Sequence, residues 1–236
     1  MAKAAASKTP TAKDSAAPEP EHAPEPVLHA SIYEELRRRM ITGKIVPGVG
    51  LSTRGLALEM GVSQMPIRDA LSRLAAEGAV QIRSKRKIEV SAMTAERFAD
   101  LLDCRLLLEP EAAVQALPHI TSSKLKNLRE TDAAMDDAMR NGDVIGYMER
   151  NFQFHFNIYR ANGRPTLNRL IESLWLQFGP FMRMVYGRYG TANLVDQHRI
   201  AVAAIEAKDA DALREAIASD IRDGMGLIGR GVWATV

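Results

Sequence analysis

One cysteine, Cys104, is all the thiol chemistry the 236 residues contain. A lone thiol builds no internal disulfide framework and leaves no room for a cysteine-based zinc finger, so a reducing, cytoplasmic setting is expected. Long apolar runs are missing too. Charges interrupt every stretch before the roughly 18 residues a spanning helix needs, which excludes membrane insertion. The first 27 residues lack the apolar core of a secretory signal, and their four acids argue against a transit peptide. Nor is there a Ser/His/Asp arrangement, a phosphate-binding loop or an H-E-x-x-H motif to suggest catalysis. What is present is ordinary for a folded protein: 46% hydrophobic and 25% charged residues, in a length that suits two modest domains.

The net charge of +2 conceals a local excess. Residues 28–91 carry eleven Lys/Arg against six Asp/Glu, while residues 92–236 carry 17 against 19. One basic segment in a balanced chain suggests a polyanion-binding module joined to a part with another task, although a charged surface alone has many uses. Residues 1–27 hold eight Ala and five Pro without apolar periodicity, a composition that cannot offset the entropy of ordering, and are expected to form a disordered arm.

From Leu28 the period changes. Leu28, Ile32, Leu36 and Met40, widened by Tyr33 and Ile41, predict a helix to about Gly43. Pro47-Gly48 and Gly50 force a turn, Ser52 caps a short helix with Leu56, Ala57 and Met60, and Gly61 stops it. Ser63 then opens a helix that tolerates Pro66 in its first turn and buries Ile67, Leu71 and Leu74 before Gly78. Two alternating runs, Val80/Ile82 and Ile88/Val90, flank Ser84-Lys85-Arg86-Lys87 and read as a hairpin with a basic tip. Three helices and a hairpin in this order make a winged helix-turn-helix. After Thr94 only helical spacing remains, over about 95–116, 122–141, 144–161, 166–188, 193–207 and 209–228. Short connections imply an antiparallel bundle. The expected fold is therefore mostly α, with domains at 28–91 and 92–236 behind the arm.

A helix-turn-helix sets the start of its second helix against base edges in the major groove. Ser63, Gln64, Met65 and Arg68 occupy that start. Arg68 follows Gln64 by one turn, so the two share the face opposite the apolar stripe. Arg68 suits guanine, Gln64 adenine, and Arg54 on the preceding helix a phosphate or base. Lys85, Arg86 and Lys87 at the wing tip would meet the duplex backbone or the minor groove. Any one of these arginines could equally be a solvated charge, but the whole arrangement has few other uses.

These residues resemble the DNA-binding domain of GntR-type bacterial transcription regulators. The likeness runs through Ile41–Gly48, Leu51-Ser52-Thr53-Arg54 and, most specifically, Gly61-Val62-Ser63-Gln64-Met65-Pro66-Ile67-Arg68-Asp69-Ala70-Leu71, similar to the family's "GVSRTPVREAL". The chain departs from it at Gln64, Met65 and Lys87, where the family usually has Arg, Thr and Gly, and these positions bear on the operator sequence. The helical remainder is similar to the FadR-like branch in its FCD subgroup, through Arg105-Leu106-Leu107-Leu108-Glu109, Asn151-Phe152-Gln153-Phe154-His155 and Gln197-His198-Arg199-Ile200. The resemblance implies a divalent metal, Zn, Ni or Mn, that helps to hold a small organic acid. Carried over by position, its ligands are Asn151, His155, His198 and, in place of a third histidine, Asp220.

Spacing agrees in part. Asn151 and His155 lie one turn apart, and His198 and Asp220 are equidistant from a turn near Asp209, so an antiparallel helical hairpin brings the latter two level. Each histidine taken alone is as well explained as a hydrogen-bonded core residue. An acid needs a cation besides the metal, and Arg105 is the first candidate and Arg183 the second, with Met182, Met184 and Tyr186 shaping a pocket. Phe152, Phe154, Trp175 and Phe178 read as core, and Cys104 as an inert buried thiol.

The sequence thus leads to a homodimeric regulator, not an enzyme, that binds double-stranded DNA at a palindromic operator, responds to a small organic acid, and sits on the nucleoid when DNA-bound. A metal-dependent enzyme acting on such an acid, or an architectural DNA-binding protein without an effector, are the alternatives.

Overall fold

The structure is a computed structural model that describes residues 25–84, 87–189 and 196–233. Its first helix, α1 (Glu25–Ile41), buries Ile32, Tyr33, Leu36, Met40 and Ile41, the stripe expected from the sequence. It begins three residues earlier than the expected limit of the arm, taking in Glu25, Pro26 and Val27. Proline is compatible with a first helical turn, where its missing N–H has no partner to lose, so Pro26 does not mark the boundary. The side chain of Leu28 and residues 1–24 lie outside the described residues.

Helix α2 (Thr53–Met60) is capped by Ser52, whose hydroxyl accepts from the Gly55 amide, and ends at Gly61 in the left-handed region, φ 66°. Helix α3 (Gln64–Ala76) turns Pro66, Ile67, Ala70, Leu71 and Leu74 inward against α1. Strands β1 (Val80–Ser84) and β2 (Lys87–Val90) pair antiparallel in the register Val80↔Val90, Gln81↔Glu89, Ile82↔Ile88. Leu51 adds a bridge to Ile88, its amide donating to the Ile88 carbonyl at 2.7 Å. Ile88 is therefore flanked on both sides and buried, whereas Ile82, on the outer strand just before a register shift, is 47% exposed.

The remaining helices are α4 (Ala95–Ala116), α5 (Ser122–Arg140), α6 (Val144–Tyr159), α7 (Pro165–Tyr189), α8 (Gln197–Ala207) and α9 (Ala210–Trp233). Thr94, Thr121, Asp143 and Asp196 cap α4, α5, α6 and α8 by accepting from backbone amides three residues on. Helix α4 packs on α9 and α7, α5 on α6, and α8 on α9, around Trp175, Phe154, Phe156, Phe178 and Tyr159. Of the expected core aromatics only Phe152 is less than fully buried. Lys208, at φ 57°, makes the tight turn that folds α9 back along α8. No helix among the described residues is long and apolar enough to cross a membrane.

The two parts of the chain meet where α1 lies on α7. Gly179 permits it: a Cβ there would stand 2.6 Å from the Ile41 carbonyl oxygen. Around that contact Arg37 pairs with Glu172 at 2.6 Å, Arg38 and Lys44 with Glu149, and Arg97 donates to Gln177 and to the Gly78 carbonyl.

Candidate functional site

The exposed face of α3 is set by the burial of its opposite side. With Ile67, Ala70, Leu71 and Leu74 sealed in, the start of the helix can only point outward. Ser63 stands there in extended conformation with no cap bond from its hydroxyl, and Gln64, Met65, Arg68 and, on α2, Arg54 are exposed. Met65 is 66% exposed, a large apolar side chain held in water. Arg68 Nη2 reaches Gln64 Oε1 only at 3.5 Å, too long to tie up either group, so both remain available to a partner. In the wing, Lys87 is exposed but pairs with Glu89 at 2.9 Å, which tempers its charge. Lys85 and Arg86 lie outside the described residues. Arg83 on β1 is also exposed, 3.9 Å from Glu89, and joins this basic edge. It stands two residues before the expected tip, and only the strand geometry turns it outward.

In the bundle three of the four expected ligands meet. Helix α6 supplies His155, α8 His198 and α9 Asp220. His155 Nε2 lies 3.2 Å from Asp220 Oδ2, His198 Nε2 lies 3.5 Å from Asp220 Oδ1, and the two imidazole Nε2 atoms are 3.3 Å apart. His155 is fully buried and Asp220 is 26% exposed, so the triangle is open on the α9 side. Asn151, buried one turn before His155 on α6, occupies the same face.

Burial pulls the His198 pKa down, opposed by Asp220 and reinforced by His155. Burial alone would raise the Asp220 carboxyl, but the two imidazoles outweigh it, with Arg105 adding to them, and hold Asp220 below the ordinary carboxylate range. On the other side of His198, Asp132 lies 3.9 Å from Nδ1 and is pushed up to about 6 by burial and by Asp196 and Asp136. Asp132 and Asp196 form a second acidic group with His198, but Asp196 already caps α8.

The two arginines expected at an acid part company. Arg105 is buried beside the triangle, and its Nε and Nη2 face the Glu109 carboxylate at 2.5 and 3.2 Å while its plane lies over Phe178 and Trp175. Its charge is thus already shared with Glu109, a partner the sequence held in the same motif without a role. Arg183 is not beside the triangle. It donates from Nη1 to the Gly43 carbonyl at 3.2 Å, because it stands eight residues beyond Trp175, roughly 12 Å along α7, where α7 meets the turn after α1. Met182 is core, and the side chains of Met184 and Tyr186 lie outside the described residues. Cys104 is half-buried, not fully enclosed.

Two family models match separate segments of the chain. The family model for bacterial regulatory proteins of the gntR family matches residues 28–90, and the FCD domain model matches residues 100–223. The HTH-type transcriptional regulator McbR of Escherichia coli (strain K12) is 26% identical over 204 residues, 85% of this chain and 92% of that protein. The gluconate operon transcriptional repressor of Bacillus subtilis (strain 168) is 26% identical over 185 residues, 74% of each chain. Among solved structures, that of E. coli McbR/YncC superposes with a TM-score of 0.81 at 26% identity, covering 86% of this chain and 97% of that one.

Proposed function

The chain belongs to the gntR family of bacterial regulatory proteins, in its FCD-containing subgroup, and on that footing we propose that it is a homodimeric repressor or activator whose operator affinity is set by a small organic acid bound beside a divalent ion. It is a DNA-binding transcriptional regulator, and the relatives described above are regulators, which removes the enzyme reading. In this proposal residues 28–91 read DNA and residues 92–236 bind the acid and dimerise.

The observation that carries the metal is the triangle itself. Donors held about 2.1 Å from a tetrahedral ion stand about 3.4 Å apart; here the two imidazole Nε2 atoms are 3.3 Å apart, His155 Nε2 is 3.2 Å from Asp220 Oδ2, and His198 Nε2 is 3.5 Å from the other carboxylate oxygen, Oδ1. Two imidazole nitrogens and a carboxylate brought this close in a largely buried site suit a cation shared among them. His155, His198 and Asp220 would hold it, with Asn151 as a further oxygen donor, and the imidazole-carboxylate set suits Zn, Ni or Mn. Bound there, the ion supplies a Lewis-acidic position for a carboxylate. Arg105 offers a second cationic contact through Nη1, the edge turned away from Glu109.

The test is operator binding by the purified full chain, followed by anisotropy, with metal stripped or restored and a panel of small organic acids added. An acid that shifts operator affinity only when metal is present supports the proposal, and by linkage the operator must change acid affinity by the same factor. Sequence-independent DNA binding that no acid or metal alters would return the chain to an architectural role.

A further inference from the structure

We propose that Tyr159, held by Glu109, is a positioning residue that fixes His155 in its Nδ1–H tautomer and so presents a bare Nε2 to a divalent ion. The proposal rests on the metal reading above for the identity of what Nε2 meets, and on hydrogen-bond accounting for the tautomer.

The accounting starts at Glu109, a fully buried carboxylate on α4. Arg105 Nε and Nη2 donate to it, Trp175 Nε1 donates at 3.0 Å, and the Tyr159 hydroxyl at 2.9 Å. Arginine and indole nitrogens are donors only, so Glu109 acts throughout as an acceptor. A phenol has one proton. Tyr159 gives that proton to Glu109 and retains only acceptor capacity for its other neighbour, His155 Nδ1, at 3.1 Å. Nδ1 must then carry the hydrogen, and in a neutral imidazole Nε2 is left bare.

Every member of this relay is closed to water: His155, Tyr159 and Glu109 are each 0% exposed. No solvent molecule can therefore stand in for the hydroxyl and reverse the order. The relay is built from two helical turns, Arg105 and Glu109 on α4 and His155 and Tyr159 on α6, each pair four residues apart. Its far end places the bare Nε2 3.2 Å from Asp220 Oδ2 and 3.3 Å from His198 Nε2. A bare Nε2 there accepts either a proton carried on His198 Nε2 or a cation shared with His198 and Asp220. Ligating histidines anchored in this way lose roughly 10–100-fold in metal affinity when the outer partner is removed.

The experiment uses the full chain labelled with 15N-histidine, first stripped of metal and then titrated with Zn²⁺ against a chromophoric chelator. Long-range 1H–15N spectra of the unaltered protein should show His155 protonated at Nδ1 and bare at Nε2. Tyr159→Phe removes one oxygen from a site it otherwise fills. The metal-free variant should keep a cooperative melt, lose the single-tautomer pattern and bind Zn²⁺ about 10–100-fold more weakly. A merely structural tyrosine would leave the tautomer and the affinity of the folded variant unchanged, and that result overturns the proposal. An Nε2–H tautomer or an imidazolium in the unaltered protein overturns it without any variant, so a variant that fails to fold does not shield it. If the unaltered protein takes up no Zn²⁺ while showing the Nδ1–H tautomer, the relay stands and the metal reading is what fails.

Discussion

Arg68 and Gln64 are where a single residue has most to say about DNA. Both project from a helix whose opposite face is sealed, and the 3.5 Å between them leaves the guanidinium free for a bidentate contact with guanine. Arg68→Ala is expected to cost about 1–3 kcal/mol on the operator and little on random DNA, measured by competition binding at fixed salt. An equal loss on both would make Arg68 a phosphate contact. In the bundle, His155→Ala and His198→Ala should each abolish any metal-induced rise in melting temperature, because an ion that binds only the folded state raises stability through those donors. A rise that survives both changes would place the ion elsewhere.

Helix α7 joins the helical bundle to the part of the chain that carries the helix-turn-helix. Trp175 and Phe178 lie under the Arg105 guanidinium, and the next residue, Gly179, touches the end of α1. Replacing a helical glycine by alanine ordinarily stabilises by about 1 kcal/mol. Here the new Cβ would meet the Ile41 backbone at 2.6–2.9 Å, so Gly179→Ala is expected to destabilise by about 1–3 kcal/mol and to shift operator affinity. Urea denaturation with the ordinary sign, a gain, would mean that α1 does not rest on α7. Two turns earlier, Glu172 joins Arg37 of α1 to Arg160. Burial raises this carboxyl, but the Arg160 and Arg37 guanidiniums outweigh it and its pKa falls below the usual value. A depressed carboxyl contributes stability that is full above its unfolded pKa, about 4.3, and is lost as pH falls below it. Glu172→Gln should therefore cost about 1–3 kcal/mol near neutral pH and progressively less in acid, read from denaturation midpoints across that range.

For the molecule as a whole, one recognition helix reads too few bases to find one site in a genome, and two-fold pairing doubles the number. The full chain is expected to sediment as a dimer alone and on a palindromic operator. A monomer bound to DNA would contradict this. Arg37, Arg38, Lys44, Arg97 (through the Gly78 carbonyl) and Arg183 tie the DNA-reading part to the helices that carry the triangle or pack around it. A ligand that moves α7 against α6 must therefore act on α1, and through α1 on α3, which packs against it.

Much of this was written locally. The stripe on α3, the cap at Ser52 and the left-handed stop at Gly61 depend on residues within a turn or two of each other, and so does the order of helices and hairpin. The resemblance supplied the candidate ligands, and the equal spacing of His198 and Asp220 about Asp209 already implied that they face each other. The start of α1 at Glu25 escaped because a first-turn proline and a disordered, proline-rich arm look alike in sequence. Only the tertiary structure decided that Arg183 answers the Gly43 carbonyl, that Arg105 is shared with Glu109, that Leu51 shields Ile88 while Ile82 stays exposed, and that Tyr159 stands between Glu109 and His155. Those outcomes depend on how far each helix is turned about its axis against a neighbour tens of residues away. No local pattern encodes that rotation, which is settled when the whole core packs at once.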